Sequence, residues 1–138
     1  MATGKRVLVV DDEPAIRALV VRIVERAGLP ADVARDGAEA IEMLEERPYA
    51  VLVLDLMMPK VDGFGLIDHI RNRGGDRPAI IVVSAGDSAA LRQLDGSIVH
   101  SVVRKPFDVD VLSDLITAAA ASSDEGNARE GDVVPFRR

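Results

Sequence analysis

The 138-residue chain contains no cysteine, which excludes disulfides, thiolate nucleophiles and cysteine-based zinc sites and is compatible with a reducing compartment. Aromatics are nearly absent too: Tyr49, Phe64, Phe107 and Phe136 are the only ones, although hydrophobic residues make up 48% of the chain. A core must therefore be built from Val, Leu, Ile and Ala, which favours a layered α/β protein. Basic charge is in deficit, with a net charge of −6 and a pI of about 4.9, so the footprint that neutralises nucleic-acid phosphates is missing. No direct nucleic-acid partner is expected. No apolar run approaches the roughly 20 residues needed to cross a membrane. "MATGKR" leads into a strand ending in acids and not into the apolar region of a signal peptide. The expectation is one cytoplasmic domain without a membrane partner.

What the chain does have is an alternation of apolar runs and helical stripes. Candidate strands are Arg6 to Val10, Asp32 to Ala34, Val51 to Leu54, Ala79 to Val83 and, less regular, Ile98 to Val103. Between the first two, Ile16, Leu19, Val20, Ile23, Val24 and Ala27 form one face of a helix, with Pro14 in its first turn and Gly28 as its stop. A second helix starts at Asp36, which has capping-box spacing to Glu39, and ends before Pro48. A third runs from about Gly63, with Phe64, Ile67 and Ile70 inward, to "NRGGD". A short fourth is expected near Ser88 to Leu94, and a fifth begins at Asp108 as N-cap and fades at Ala118 to Ala121. Residues 1–121 form the expected domain. Residues 122–138, with four acids, three arginines and few apolar residues, read as a disordered tail.

Short connections in a (βα)5 chain imply a doubly wound parallel sheet, because right-handed crossovers return every strand in the same direction. In the flavodoxin-like order 2-1-3-4-5, ligands bind beyond the strand ends, between the first and third strands. Asp11 and Asp12 follow strand one, Asp55 strand three, Ser84 strand four and Lys105 strand five. Three carboxylates against one ammonium either retain a proton or recruit a cation. Oxygen ligands in a partly hydrated pocket suit Mg²⁺, which keeps several waters and takes one or two carboxylates plus a phosphate oxygen. Asp55, on the central strand, is then placed to act as a nucleophile that forms an acyl phosphate.

With "VLVVDDEP", "VLDLMMPKVDGFGL", "VVSA" and "VRKPF" in order, the chain resembles the receiver domain of two-component response regulators, of the single-domain, chemotaxis-regulator-like kind, over about Lys5 to Ala121. The resemblance implies that Asp55 accepts a phosphoryl group from a sensor histidine kinase or a histidine phosphotransfer protein. It implies that Asp12, Asp55 and the Met57 carbonyl hold Mg²⁺, with Asp11 acting mainly through water. Lys105 and Ser84 would bind the phosphoryl oxygens, and the Lys105–Pro106 bond would be cis. Met57 and Gly86 would flank the path of an attacking water. The only reactions expected are the protein's own phosphorylation and slow autodephosphorylation. Output would pass to a downstream protein target or along a phosphorelay, from a monomer or weak dimer.

One departure concerns output: Val102 stands where the family usually has a Tyr or Phe that turns inward on phosphorylation. Other readings are weaker. "VVSAG" with Asp95 and His100 has a serine hydrolase's order but Val82 where the motif needs Gly, and a dehalogenase-type phosphatase would need an aspartate where Met57 stands. A pseudo-receiver that only binds proteins would keep the surface and not the chemistry. His69 and His100 lie away from the strand ends, and "VVPFRR" reads as a solvated end.

Overall fold

A run such as Val7-Leu8-Val9-Val10 is stable only where both faces of the strand are covered. In the computed structural model, which describes residues 5–56, 63–73, 77–85, 92, 94 and 96–128, that is its position. Strands β1 (Val7–Val10), β2 (Ala31–Ala34), β3 (Val51–Asp55), β4 (Ala79–Ser84) and β5 (Val99–Arg104) form one parallel sheet, in the order β2-β1-β3-β4-β5. The described helices are α1 (Pro14–Arg26), α2 (Gly37–Glu46), α3 (Gly63–Arg73) and α4 (Val109–Ala128). The short helix expected over Ser88 to Leu94 falls almost wholly outside the described residues.

The strand residues divide by parity. Val7, Val9, Val51, Val53, Ile81 and Val83 pack with Val20, Ile23 and Val24 of α1 and Leu112 and Ile116 of α4. Leu8, Val10, Leu52, Leu54, Ile80 and Val82 pack with Leu44 of α2 and Leu66, Ile67 and Ile70 of α3. The result is a three-layer α/β/α sandwich, the flavodoxin-like architecture expected. β5 departs from simple alternation. Ile80 pairs with Val99 but Ile81 pairs with Ser101, so His100 is the extra residue of a bulge. Val99 and Val103, an even number of residues apart, therefore lie on opposite faces of the sheet.

Local signals set the element ends. Gly28 takes φ +87°, the left-handed conformation that closes α1 at low cost. The Asp36 carboxylate accepts from the Glu39 N–H at 2.9 Å and caps α2, and Asp108 Oδ1 accepts from Asp110 and Val111 to start α4. The α4 backbone continues to Ala128, past the end expected at Ala121. Once nucleated, a helix needs no further apolar stripe to propagate, and no proline interrupts this one. Residues 129–138 of the expected tail lie outside the described residues.

At the start of the sheet, edge strand β2 is fastened by Asp32. Its carboxylate accepts from Arg6 Nη2 at 2.9 Å and from the Tyr49 hydroxyl at 2.7 Å, with Arg47 at 3.8 Å. The Arg6 and Tyr49 bonds hold Asp32 below its ordinary pKa, against the opposing effect of burial. Burial, followed by the charge and hydrogen bond of Asp32, pushes the Tyr49 hydroxyl up to about 12.

Candidate functional site

All strands end at one edge, so the residue after each strand meets its neighbours there. Val10 is in register with Leu54, which sets Asp11 beside Asp55 across two central strands. Among the described residues, the buried polar or charged ones are Asp11, Asp55 and Ser84. Burial of polar groups is costly unless they are paired, and no buried side-chain nitrogen or oxygen among the described residues lacks a hydrogen-bond partner. The unfavourable burial is thus concentrated at one place, the carboxyl edge of the sheet.

Asp11, Asp12 and Asp55 each offer an oxygen within 4.8 Å of the other two, with Asp12 on the exposed side. Lys105 closes the opposite side: its Nζ is 3.4 Å from Asp11 Oδ2 and 3.5 Å from Asp55 Oδ2. Burial pushes this ammonium's pKa down, but the charges of Asp11 and Asp55 and hydrogen bonds to Glu13 and Asp11 outweigh it, so the pKa lies above the ordinary lysine value. One hydrogen bond ties the lysine backbone to the end of β4. The Lys105 N–H donates to the Ser84 carbonyl at 3.0 Å, and the Lys105–Pro106 peptide is cis.

The two Asp11 oxygens differ from those of Asp12 in already having donors within the chain. Oδ1 accepts from the Glu13 N–H at 2.9 Å and Oδ2 faces Lys105. The carboxylate oxygens that converge here form a hard, anionic, oxygen-only donor set, which fits a small divalent cation that retains water.

Of the residues singled out from sequence, Asp11, Asp12, Asp55 and Lys105 are brought together, and Ser84 is fully buried at the end of β4 on the same edge. Met57 and Gly86 lie outside the described residues, as does Asp95. Val102 is not at the pocket: it pairs with Val82, two positions before Ser84, and packs partly buried against the α2–α3 side of the core. His100 sits near the start of β5 with Nδ1 2.7 Å from Ser101 Oγ, far from Ser84, so it is no base for that serine. His69 pairs with Glu45 at 3.1 Å between α3 and α2.

Two residues at the site were not singled out by sequence reasoning. Glu13 Oε1 lies 3.4 Å from Lys105 Nζ, and Arg17 Nη1 donates to the Asp11 main-chain carbonyl at 2.9 Å. The clue was local: Glu13 directly precedes the helix-starting Pro14, and Arg17 is one turn further on, so both must face the edge where Asp11 emerges.

Comparison with known proteins agrees with this geometry. A family model of the response regulator receiver domain matches residues 7–117. Response regulator MprA of Mycobacterium leprae is 37% identical over 134 residues, which cover 95% of this chain and 58% of that protein. The chain thus spans little more than half the length of that relative. The receiver domain of Francisella response regulator 1452 superposes with a TM-score of 0.76 at 30% identity, covering 86% of this chain and 98% of that one. TrrA of Thermotoga maritima, solved in complex with Mg²⁺–BeF, gives a TM-score of 0.74 at 32% identity, covering 83% and 98%.

Proposed function

The chain belongs to the response regulator receiver family, and from that premise we propose that Asp55 accepts a phosphoryl group from the phosphohistidine of a sensor kinase or phosphotransfer protein. The observation that carries the reading is the pocket itself: the Asp11, Asp12 and Asp55 oxygens converge within 4.8 Å, with the Lys105 ammonium 3.5 Å from Asp55 Oδ2. An Asp55 oxygen attacks phosphorus, the phosphorus–nitrogen bond to the donor imidazole breaks, and its electron pair stays on that nitrogen. Lys105 follows the charge that builds on the phosphoryl oxygens, and the Ser84 hydroxyl donates to one of them after transfer. Most of the catalysis is positioning and charge neutralisation.

Asp12, Asp55 and the Met57 carbonyl would hold Mg²⁺, and Asp11, whose oxygens already have donors in Glu13 and Lys105, would act through water. The metal would supply charge neutralisation between two anions, acceptor and phosphoryl group, that otherwise repel. Water would later cleave the acyl phosphate, returning phosphate and the Asp55 carboxylate. The phosphorylated protein would signal by binding a downstream protein or by passing the group along a relay.

Acetyl phosphate with Mg²⁺ tests the assignment by intact mass. Wild type should gain one acid-labile phosphoryl group, with acetate as leaving group, and Asp55→Asn should gain none. Equal labelling of both proteins would place the acceptor elsewhere. No labelling of wild type would favour a protein-binding module without the chemistry.

A further inference from the structure

The Lys105 ammonium has a partner that phosphoryl transfer does not use. Glu13 Oε1 is 3.4 Å from Nζ, as near as Asp11 Oδ2 and marginally nearer than Asp55 Oδ2. Glu13 is the N-cap residue of α1, yet its side chain makes no capping bond, so its carboxylate is free to serve another group. It is also the solvent-side partner: the Glu13 side chain is 61% exposed, against 5% for Asp11, 7% for Asp55 and 15% for Lys105.

From these contacts we infer that Glu13 is a positioning residue that draws Lys105 toward the mouth of the pocket and slows phosphorylation of Asp55. The inference rests on the phosphoacceptor reading above. Of its three N–H donors the ammonium uses two, toward Asp11 and Glu13, and the Asp55 carboxylate stands at ion-pair distance. A phosphoryl group arriving on Asp55 draws the ammonium deeper into the pocket, so the contact at its mouth must yield. Asp11 and Asp55 hold the lysine from within the pocket, where solvent screens least. Glu13 is the most screened of the three and is the one displaced, and its hold on the lysine sets a resistance that transfer must overcome. An exposed pair of this kind is weak, which fixes the size of the effect at about 2- to 5-fold in rate.

The experiment follows labelling of the full chain by intact mass in Mg²⁺, comparing wild type with Glu13→Gln. Two donors are used, acetyl phosphate and the less negatively charged phosphoramidate, each at low and high salt. Glu13→Gln should label about 2- to 5-fold faster with either donor at low salt, and the gain should shrink at high salt, which screens an exposed pair. The gain should vanish in a Lys105→Met background, and the Lys105 ε-methylene NMR signal of the Mg²⁺-free protein should shift in Glu13→Gln. A gain seen only with acetyl phosphate would mean that Glu13 merely repels the donor, and would overturn the inference. A gain that persists without Lys105, or an unmoved Lys105 signal, would overturn it too. Equal rates in wild type and Glu13→Gln reject this role and leave Asp55 as acceptor, whereas an unlabelled wild type removes both.

Discussion

Replacing Gly63 with alanine should damage both stability and the site, because the first residue of α3 touches the backbone that carries Asp55. A methyl group there would lie 2.6 Å from Leu56 Cα, 2.7 Å from its carbonyl oxygen and 2.9 Å from its Cδ1. Two of those atoms are backbone, so a rotamer change cannot relieve the clash. The Gly63 N–H also donates to that carbonyl at 2.9 Å, tying the start of α3 to the end of β3. Overpacking of this kind costs about 1–3 kcal/mol, and the upper end applies where backbone must move. Weakening the hydrogen bond costs about 1 kcal/mol, roughly offset by alanine's better helix propensity. The net loss is about 3 kcal/mol, or a fall in Tm on the order of 10 °C, read by thermal and urea unfolding. Leu56 directly follows Asp55, so Asp55 is displaced as well. Labelling by acetyl phosphate should drop by at least about tenfold under conditions where the variant is folded, since an ångström of misplacement can cost about a hundredfold. Gly28→Ala is the control. It strains a residue at φ +87° with nothing within 4 Å of the added carbon, at the end of the sheet away from the site. It should lose stability of order 1 kcal/mol and keep the wild-type labelling rate. If Gly63→Ala melts within about 2 °C of wild type and labels normally, the close approach of α3 to Leu56 does not constrain the site.

The remaining predictions concern charge, metal and output. Tyr49→Phe should cost about 1–2 kcal/mol at neutral pH through the lost bond to Asp32. The Tyr49 pKa is raised in the fold, so its contribution is complete below the ordinary tyrosine value and is lost as pH rises from 10.0 to about 12. Urea unfolding should show that alkaline loss in wild type to exceed the loss in the variant. A parallel pH dependence of the two would contradict the pairing. Asp32 has the opposite sign: its pKa is lowered in the fold, so its contribution holds above the ordinary value of 3.8 and is lost as pH falls below it. Asp32→Asn should flatten that acid slope, measured as Tm against pH. Mg²⁺ should raise Tm by mass action, and Asp12→Ala should remove most of the rise; an undiminished response would move the metal to another site. Finally, beryllofluoride as a phosphoryl mimic should leave NMR signals around Ser84 and Val102 broadened in the absence of partner, because Val102 cannot make the inward aromatic turn. A sharp, complete switch would show that Val102 does not weaken the coupling.

How far the molecule was legible from its residues can be judged element by element. The β1 and β3 runs announce burial on both faces, and Pro14, Gly28, Asp36 and Asp108 mark helix ends by chemistry local to a few residues. Such signals survive in one dimension because their causes span only a turn or two of chain. The strand-end acids and Lys105 were legible for a related reason: once the sheet is parallel, topology alone carries every strand end to one edge. The uneven pattern of β5 had no explanation in the sequence, since only pairing against β4 reveals His100 as the bulge residue that turns Val99 and Val103 to opposite faces. The partners of Asp32 and the need for glycine at position 63 were likewise hidden, because each depends on an approach between distant segments. The same holds for Glu13. Its neighbours in the chain suggest a helix start, and only the folded sheet, by bringing Lys105 to it across the whole length of the domain, turns its carboxylate into part of the site. The sequence by itself thus determined which chemistry meets at the edge, through periodicity and local capping. The tertiary structure decided which charges touch, because contact distance is a property of packing and not of spacing along the chain.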